Sequence, residues 1–137
     1  MKLVVIGCGR VGSAVARDLA EDGWDVTAVD EQEEALARLG ARWAGGFIVG
    51  HGMDAEILRR AGIPDADAVV VATDGDNTNL VIAQIAQRRF SVPTVVVRVL
   101  DPARAKWYEE QGLKTVCPTQ IAIDMLHDAV KAATAGT

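Results

Sequence analysis

The sequence predicts an α/β fold, a doubly wound parallel sheet with a C-terminal crossover-type helix. Three observations carry that expectation. Short runs rich in valine and isoleucine, with little polar alternation, recur through the chain, as in strands covered on both faces. Stretches of helical period separate them, giving five strand–helix units in succession, the pattern of right-handed βαβ crossovers. Gly23, Gly40 and Gly62 follow the first three helical stretches, where left-handed C-caps are expected.

Each element follows in order. A strand at 3–6 leads into a helix at 10–22, and a strand at 26–29 into a helix at 33–39. The third pair is 46–49 with 54–61, and the fourth 68–71 with 77–90. Pro93 introduces the fifth strand, 94–99, which is followed by a helix at 102–111. After Gly112 comes a weak strand at 114–116, and Pro118 opens a last helix running to about 133. Its apolar stripe is Ile121, Ala122, Met125, Leu126, Ala129 and Val130, with Asp124, His127, Asp128 and Lys131 off it. Two placements stay open for that helix: packed on its own sheet, or exchanged with a neighbouring copy, because the other helices already cover both faces. The 137 residues suit one domain, 1–137, around one core.

Composition narrows the function. A formal charge of −5 opposes phosphate backbones and anionic lipid, so no nucleic-acid partner is expected. No apolar run reaches the roughly 18 residues of a membrane span, and the glycine-broken start does not read as a signal peptide. The expected location is the cytoplasm. Cys8 and Cys117 read as packing residues rather than a disulfide. Cys8 stands where a helix N-terminus lowers a thiol pKa, which makes slow oxidation a secondary expectation. His51 and His127 lie far apart without acidic or cysteine neighbours at ligand spacing, and no metal site is expected.

Gly7-Cys8-Gly9-Arg10-Val11-Gly12 fits G-x-G-x-x-G between a strand and a helix. Gly7 permits the turn, Gly9 lets a pyrophosphate approach bare backbone, and Gly12 lets the helix lie against the sheet. The unpaired N–H groups of the first helical turn then face the anion. Asp30, with Glu31 beside it, ends the second strand about twenty residues on, where a carboxylate can hold both hydroxyls of an adenine ribose. A 2′-phosphate would be repelled there, favouring NAD or an adenine nucleotide over NADP. The fold is therefore Rossmann-like. Dehydrogenases of this kind also need a substrate compartment and a proton donor. The chain shows neither, and its one tyrosine, Tyr108, has no lysine four residues later. A sensing site, not an enzyme, is the expectation.

Three later stretches are more specific: DAEILRRAGIPDADAVVVATDGDNTN, TVVVRV and GLKTVCPTQIAIDMLHDAV. Their order resembles the TrkA-N domain, also called the KTN or RCK N-terminal domain, of bacterial potassium-transport regulators. The matching residues are Leu58, Ala61-Gly62-Ile63, Ala66-Asp67-Ala68, Ala72-Thr73, Asp76 with Asn79, and Val97-Arg98-Val99. The resemblance implies a cytosolic gating module that binds NAD(H), ATP, ADP or AMP, assembles as a homodimer or a higher ring, and acts on a membrane potassium channel or transporter. It implies nucleotide-lining roles for Gly7, Gly9, Arg10, Gly12, Asp30, Thr73 and Arg98, with Cys8, Val11 and Asp74 on the same loops. Arg10 would stand over the phosphates, and Arg98 would reach them or a neighbouring subunit. Asp76 and Asn79 read either as ligand contacts or as caps of the helix they precede.

The chain departs from the family pattern in two places. Gly50-His51 stands where many members carry Gly-Asp near the adenine, and the loop 73–77 lacks an acidic residue after its second Asp. A companion C-terminal domain, frequent in the family, does not follow, so the chain reads as a single-domain subunit or a fragment of a longer one. Two alternatives stay open: an NAD-binding redox sensor for another partner, and an NAD-dependent oxidoreductase working with a catalytic partner chain.

Overall fold

A computed structural model describes residues 1–136; Thr137, the last residue of the expected domain, lies outside them. Six strands among the described residues form one sheet in the order β3-β2-β1-β4-β5-β6. They are β1 (Lys2–Ile6), β2 (Asp25–Asp30), β3 (Gly46–Val49), β4 (Ala68–Val71), β5 (Thr94–Arg98) and β6 (Lys114–Val116). Every pairing is parallel, with Val5 opposite Ala28 on one side and Val70 on the other. The helices are α1 (Arg10–Glu21), α2 (Leu36–Leu39), α3 (Ala55–Arg60), α4 (Asp76–Gln84), α5 (Pro102–Glu110) and α6 (Pro118–Thr134).

The period-two side chains of the strands explain the two layers. Val4 and Ile6 of β1 join Val69, Val71, Val95 and Val97 under Leu58 of α3, Ile82 of α4, Ala86 just after it, and Tyr108 of α5. Leu3 and Val5 face the other way, with Val26 and Ala28, towards Ala16 of α1 and Leu39 of α2. Both faces of the central strands are thereby covered, which is why these runs lack polar alternation.

Most expected boundaries hold within a residue or two, and the departures are local. The stretch expected as a helix from 33 begins as a 3-10 turn, Glu33–Ala35, before α2. The helix expected from 77 to 90 changes at its end into a π turn, Ile85–Arg89, where the Phe90 N–H reaches the Ile85 carbonyl at 3.2 Å. Gly62 has the expected left-handed conformation. Gly40 does not: its φ of 89° comes with a ψ of 165°, so the chain leaves α2 extended instead of curling back.

The larger correction concerns α6. No residue of this helix is buried, and Ile121, Ile123, Met125, Leu126 and Val130 are 49–69 % exposed. The expectation that it packs on its own sheet fails for a physical reason: α1 and α2 occupy one face and α3, α4 and α5 the other. The helix leaves the body with its apolar stripe unpartnered within the chain.

Candidate nucleotide-binding cleft

The sheet order reverses between β1 and β4, and a cleft opens at the carboxyl ends of these strands, where such folds take ligands. Its volume is about 460 Å³, within the roughly 300–1,000 Å³ usual for small-molecule sites. The glycine loop forms its floor. Gly7 takes φ 95°, and a Cβ there would lie 2.7 Å from the main chain of Ala72 and Thr73. A Cβ on Gly12 would come within 1.7 Å of the Gly7 carbonyl oxygen. These two glycines are required by the fold itself.

Gly9 is different. Its φ of −73° suits any residue, and a Cβ built on it would meet no protein atom within 4 Å. It is also the N-cap of α1 and offers no capping side chain, so the N–H groups of the first turn lack an intrahelical partner. Ser13 fixes the loop from behind, its hydroxyl donating to the Gly9 carbonyl at 2.6 Å and its N–H at 3.0 Å.

The Cys8 peptide is clamped at both ends. Its N–H donates to one oxygen of Asp30 at 2.8 Å, and its carbonyl accepts from Arg38 of α2 at 3.2 Å. The other Asp30 oxygen accepts the Gln32 N–H at 2.8 Å. Each carboxylate oxygen keeps a lone pair for a ribose hydroxyl. The Cys8 side chain turns away from solvent, and the expectation of a lowered thiol pKa is reversed. Burial, reinforced by the negative charge of Asp30, pushes the thiol up to about 12, against smaller opposing effects of the Val29 carbonyl and Arg38. Cys8 is a packing residue, not a reactive one.

Glu31 and His51 meet at the ends of β2 and β3. The His51 Nδ1 accepts the Met53 N–H at 3.1 Å, which places the ring proton on Nε2. That nitrogen lies 2.8 Å from the Glu31 carboxylate. The cleft therefore carries a histidine–carboxylate pair at this corner.

Opposite stand Thr73, Asp74, Gly75 and Thr78. Asn79 is buried and holds this wall: its side-chain oxygen accepts from the Thr73 N–H and hydroxyl, and its NH₂ donates to the carbonyls of Thr73 and Arg98. Asp76 accepts from the N–H groups of Leu100 and Asp101 at 2.8 and 3.0 Å. Neither residue caps α4, whose N-cap is Gly75 without a side-chain bond; the capping expectation is corrected because Asp76 is engaged by the turn after β5 and Asn79 by Thr73 and the end of β5. Arg98 reaches the Ala72 carbonyl at 3.5 Å and lies 3.8 Å from Asp74, while its buried Nε has no hydrogen-bond partner.

Of the residues singled out in the sequence, Gly7, Cys8, Gly9, Asp30, Glu31, Gly50, His51, Thr73 and Asp74 line the cleft together. Arg10, Val11 and Gly12 belong to the first turn of α1 without lining it, and Asp76, Asn79 and Arg98 lie behind its far wall. Arg38, Gln32, Gly75 and Thr78 line it as well and were not singled out; for Arg38, helical period does not reveal which residue of a short helix reaches over a neighbouring loop.

Residues 3–119 match the TrkA-N domain. The chain belongs to the TrkA-N domain family. The family expected from the late motifs is thus the family found. The Trk system potassium uptake protein TrkA of Streptomyces coelicolor is 38 % identical over 126 residues, 92 % of this chain and 56 % of that protein. The TrkA homologue of Methanothermobacter thermautotrophicus is 34 % identical over 85 % of this chain and 53 % of its own length. This TrkA-N chain thus spans about half the length of these two relatives. Among solved structures, the NAD(P)-binding domain of an exopolyphosphatase-related protein from Archaeoglobus fulgidus aligns with a TM-score of 0.76 at 26 % identity, covering 95 % of this chain and 97 % of that one. The AMP-bound Kef C-terminal domain of Shewanella denitrificans aligns at 0.80 and 22 % identity, covering 98 % and 82 %, a likeness of fold. Among the described residues no helix is long and apolar enough to cross a membrane.

Proposed function

We propose that this TrkA-N domain senses an adenine nucleotide, NAD(H) or alternatively ATP, ADP or AMP, on behalf of a membrane potassium channel or transporter at its cytoplasmic face. The observation that carries the ligand half is Gly9: nothing in the protein demands a glycine there, and its open side faces the cleft. A phosphate resting on bare main chain at the start of α1 supplies the missing reason. Asp30, already oriented by two N–H groups, takes the ribose hydroxyls. Arg10 and Arg98 supply cations for the phosphates from the helix start and from behind the far wall. Relatives named for potassium uptake support the partner class.

The role is sensing rather than catalysis. The imidazole that lines the cleft, His51, commits one nitrogen to Met53 and directs the other at Glu31, which leaves it poorly placed to relay a proton to a substrate. The exposed stripe of α6 pairs with a second copy, giving the homodimer on which nucleotide state acts. A ligand shifts that assembly only by its difference in affinity for two arrangements, about 1.4 kcal/mol per site for a tenfold ratio.

Isothermal calorimetry with NAD, NADH, ATP, ADP and AMP tests the ligand half. Binding of at least one below millimolar supports it; no heat with any of them overturns it.

A further inference from the structure

Asp76 directly follows the cleft wall, yet its carboxylate serves a different loop. Both of its oxygens accept main-chain N–H groups of the turn between β5 and α5, those of Leu100 and Asp101. Its own carbonyl accepts the Tyr108 hydroxyl at 3.1 Å, and Arg104 reaches the neighbouring Asn77 at 2.7 Å. The cleft wall is thus fastened to α5 at several points, and Asn79 adds a bond to the Arg98 carbonyl at 2.9 Å.

Leu100 carries the connection further. While its N–H is held by Asp76, its carbonyl accepts from the Cys117 thiol at 3.6 Å. Cys117 is the N-cap of α6: its sulfur accepts the Gln120 N–H at 3.4 Å and its carbonyl the Ile121 N–H at 3.1 Å. One peptide segment therefore joins the wall of the cleft to the root of the one helix that leaves the body.

We propose that Asp76 is a positioning residue, which ties the nucleotide-facing loop 73–75 to the root of α6 through Leu100 and Cys117. The proposal deepens the sensing function and rests on it for its purpose, since a nucleotide pressing on Thr73–Gly75 moves Asp76, and α6 is the surface that a second copy would read. The tie itself is a property of the ligand-free chain. Charge matters to it: a carboxylate holds two N–H groups more strongly than a neutral amide, which offers one oxygen.

Amide hydrogen exchange on the full chain without nucleotide tests the tie from both ends. Asp76→Asn is expected to speed exchange of Leu100 and Asp101, and also of Gln120 and Ile121, by about fivefold or more. Cys117→Ala is expected to speed exchange of Thr73 by a similar factor, Cys117→Ser to restore it, and the β1–β2 amides to stay unchanged in all three. Changes confined to each variant's direct partners would overturn the proposal. If Asp76→Asn does not fold, the Cys117 pair decides alone. A wild type that binds no nucleotide by calorimetry would sink the sensing function while leaving this result to be read independently.

Discussion

The Asp30 carboxylate holds the Cys8 main chain: its Oδ2 accepts the Cys8 N–H at 2.8 Å across 22 residues of sequence. The residue that would grip the ribose is thus the same one that shapes the glycine loop, so both parts of the cleft stand or fall together. Asp30→Ala should cost nucleotide affinity about ten- to a hundredfold, the range of hydrogen bonds to charged groups. Calorimetry against the tightest-binding nucleotide reads this directly, and unchanged affinity would move the ribose elsewhere.

Two glycines three residues apart should fail in opposite ways. Gly12→Ala drives a methyl to within 1.7 Å of the Gly7 carbonyl and should destabilise the fold by about 1–3 kcal/mol or more. Gly9→Ala meets no protein atom within 4 Å, so its stability should stay within about 1 kcal/mol of wild type while nucleotide affinity falls about tenfold or more. Urea melts and calorimetry on the two variants separate the effects.

Cys8 gives a pH signature. Its thiol pKa rises from 9.0 to about 12 on folding, so the unfolded chain loses this proton first as the solution becomes alkaline. The stabilisation is complete below pH 9 and is lost as pH climbs towards the folded value, by at most about 1.4 kcal/mol per pH unit. Urea unfolding between pH 8 and 10.5 should show this decline in wild type and a shallower one in Cys8→Ala. A thiol-reactive dye at neutral pH should label Cys117 and spare Cys8 in the native protein.

The stripe on α6 is exposed, so changing it should not touch the fold. Leu126→Asp, at a residue 69 % exposed, should leave the helix and strand content by circular dichroism unchanged and abolish self-association in sedimentation velocity, with the wild type's dependence of stability on protein concentration lost. A wild type that stays monomeric at all concentrations would remove the dimer from the account.

Much of this was legible because parallel strands covered on both faces must be apolar without a break, and a glycine loop between strand and helix has few other uses. The three-glycine loop and Asp30 lie side by side because the parallel pairing of β1 and β2 brings their ends together. What escaped the sequence depends on side-chain reach. Arg38 is the one arginine of the four-residue α2, and only the structure shows it closing over the Cys8 carbonyl. Asp76 and Asn79 carry residue types suited to capping or ligand contact, and nothing local reveals that Asp76 serves the turn after β5 while Asn79 folds back on Thr73. The Cys8 thiol misled in the same way: position at a helix start argues for a low pKa, and burial, invisible in a single residue, outweighs it.

The most direct measurement is a crystal structure of the chain soaked with AMP and, separately, with NAD. The account predicts ribose hydroxyls within hydrogen-bond distance of Asp30 and a phosphate over the Gly9 main chain at the start of α1. A nucleotide bound elsewhere, or crystals in which no nucleotide atom touches Gly9 or Asp30 at saturating ligand, would contradict it.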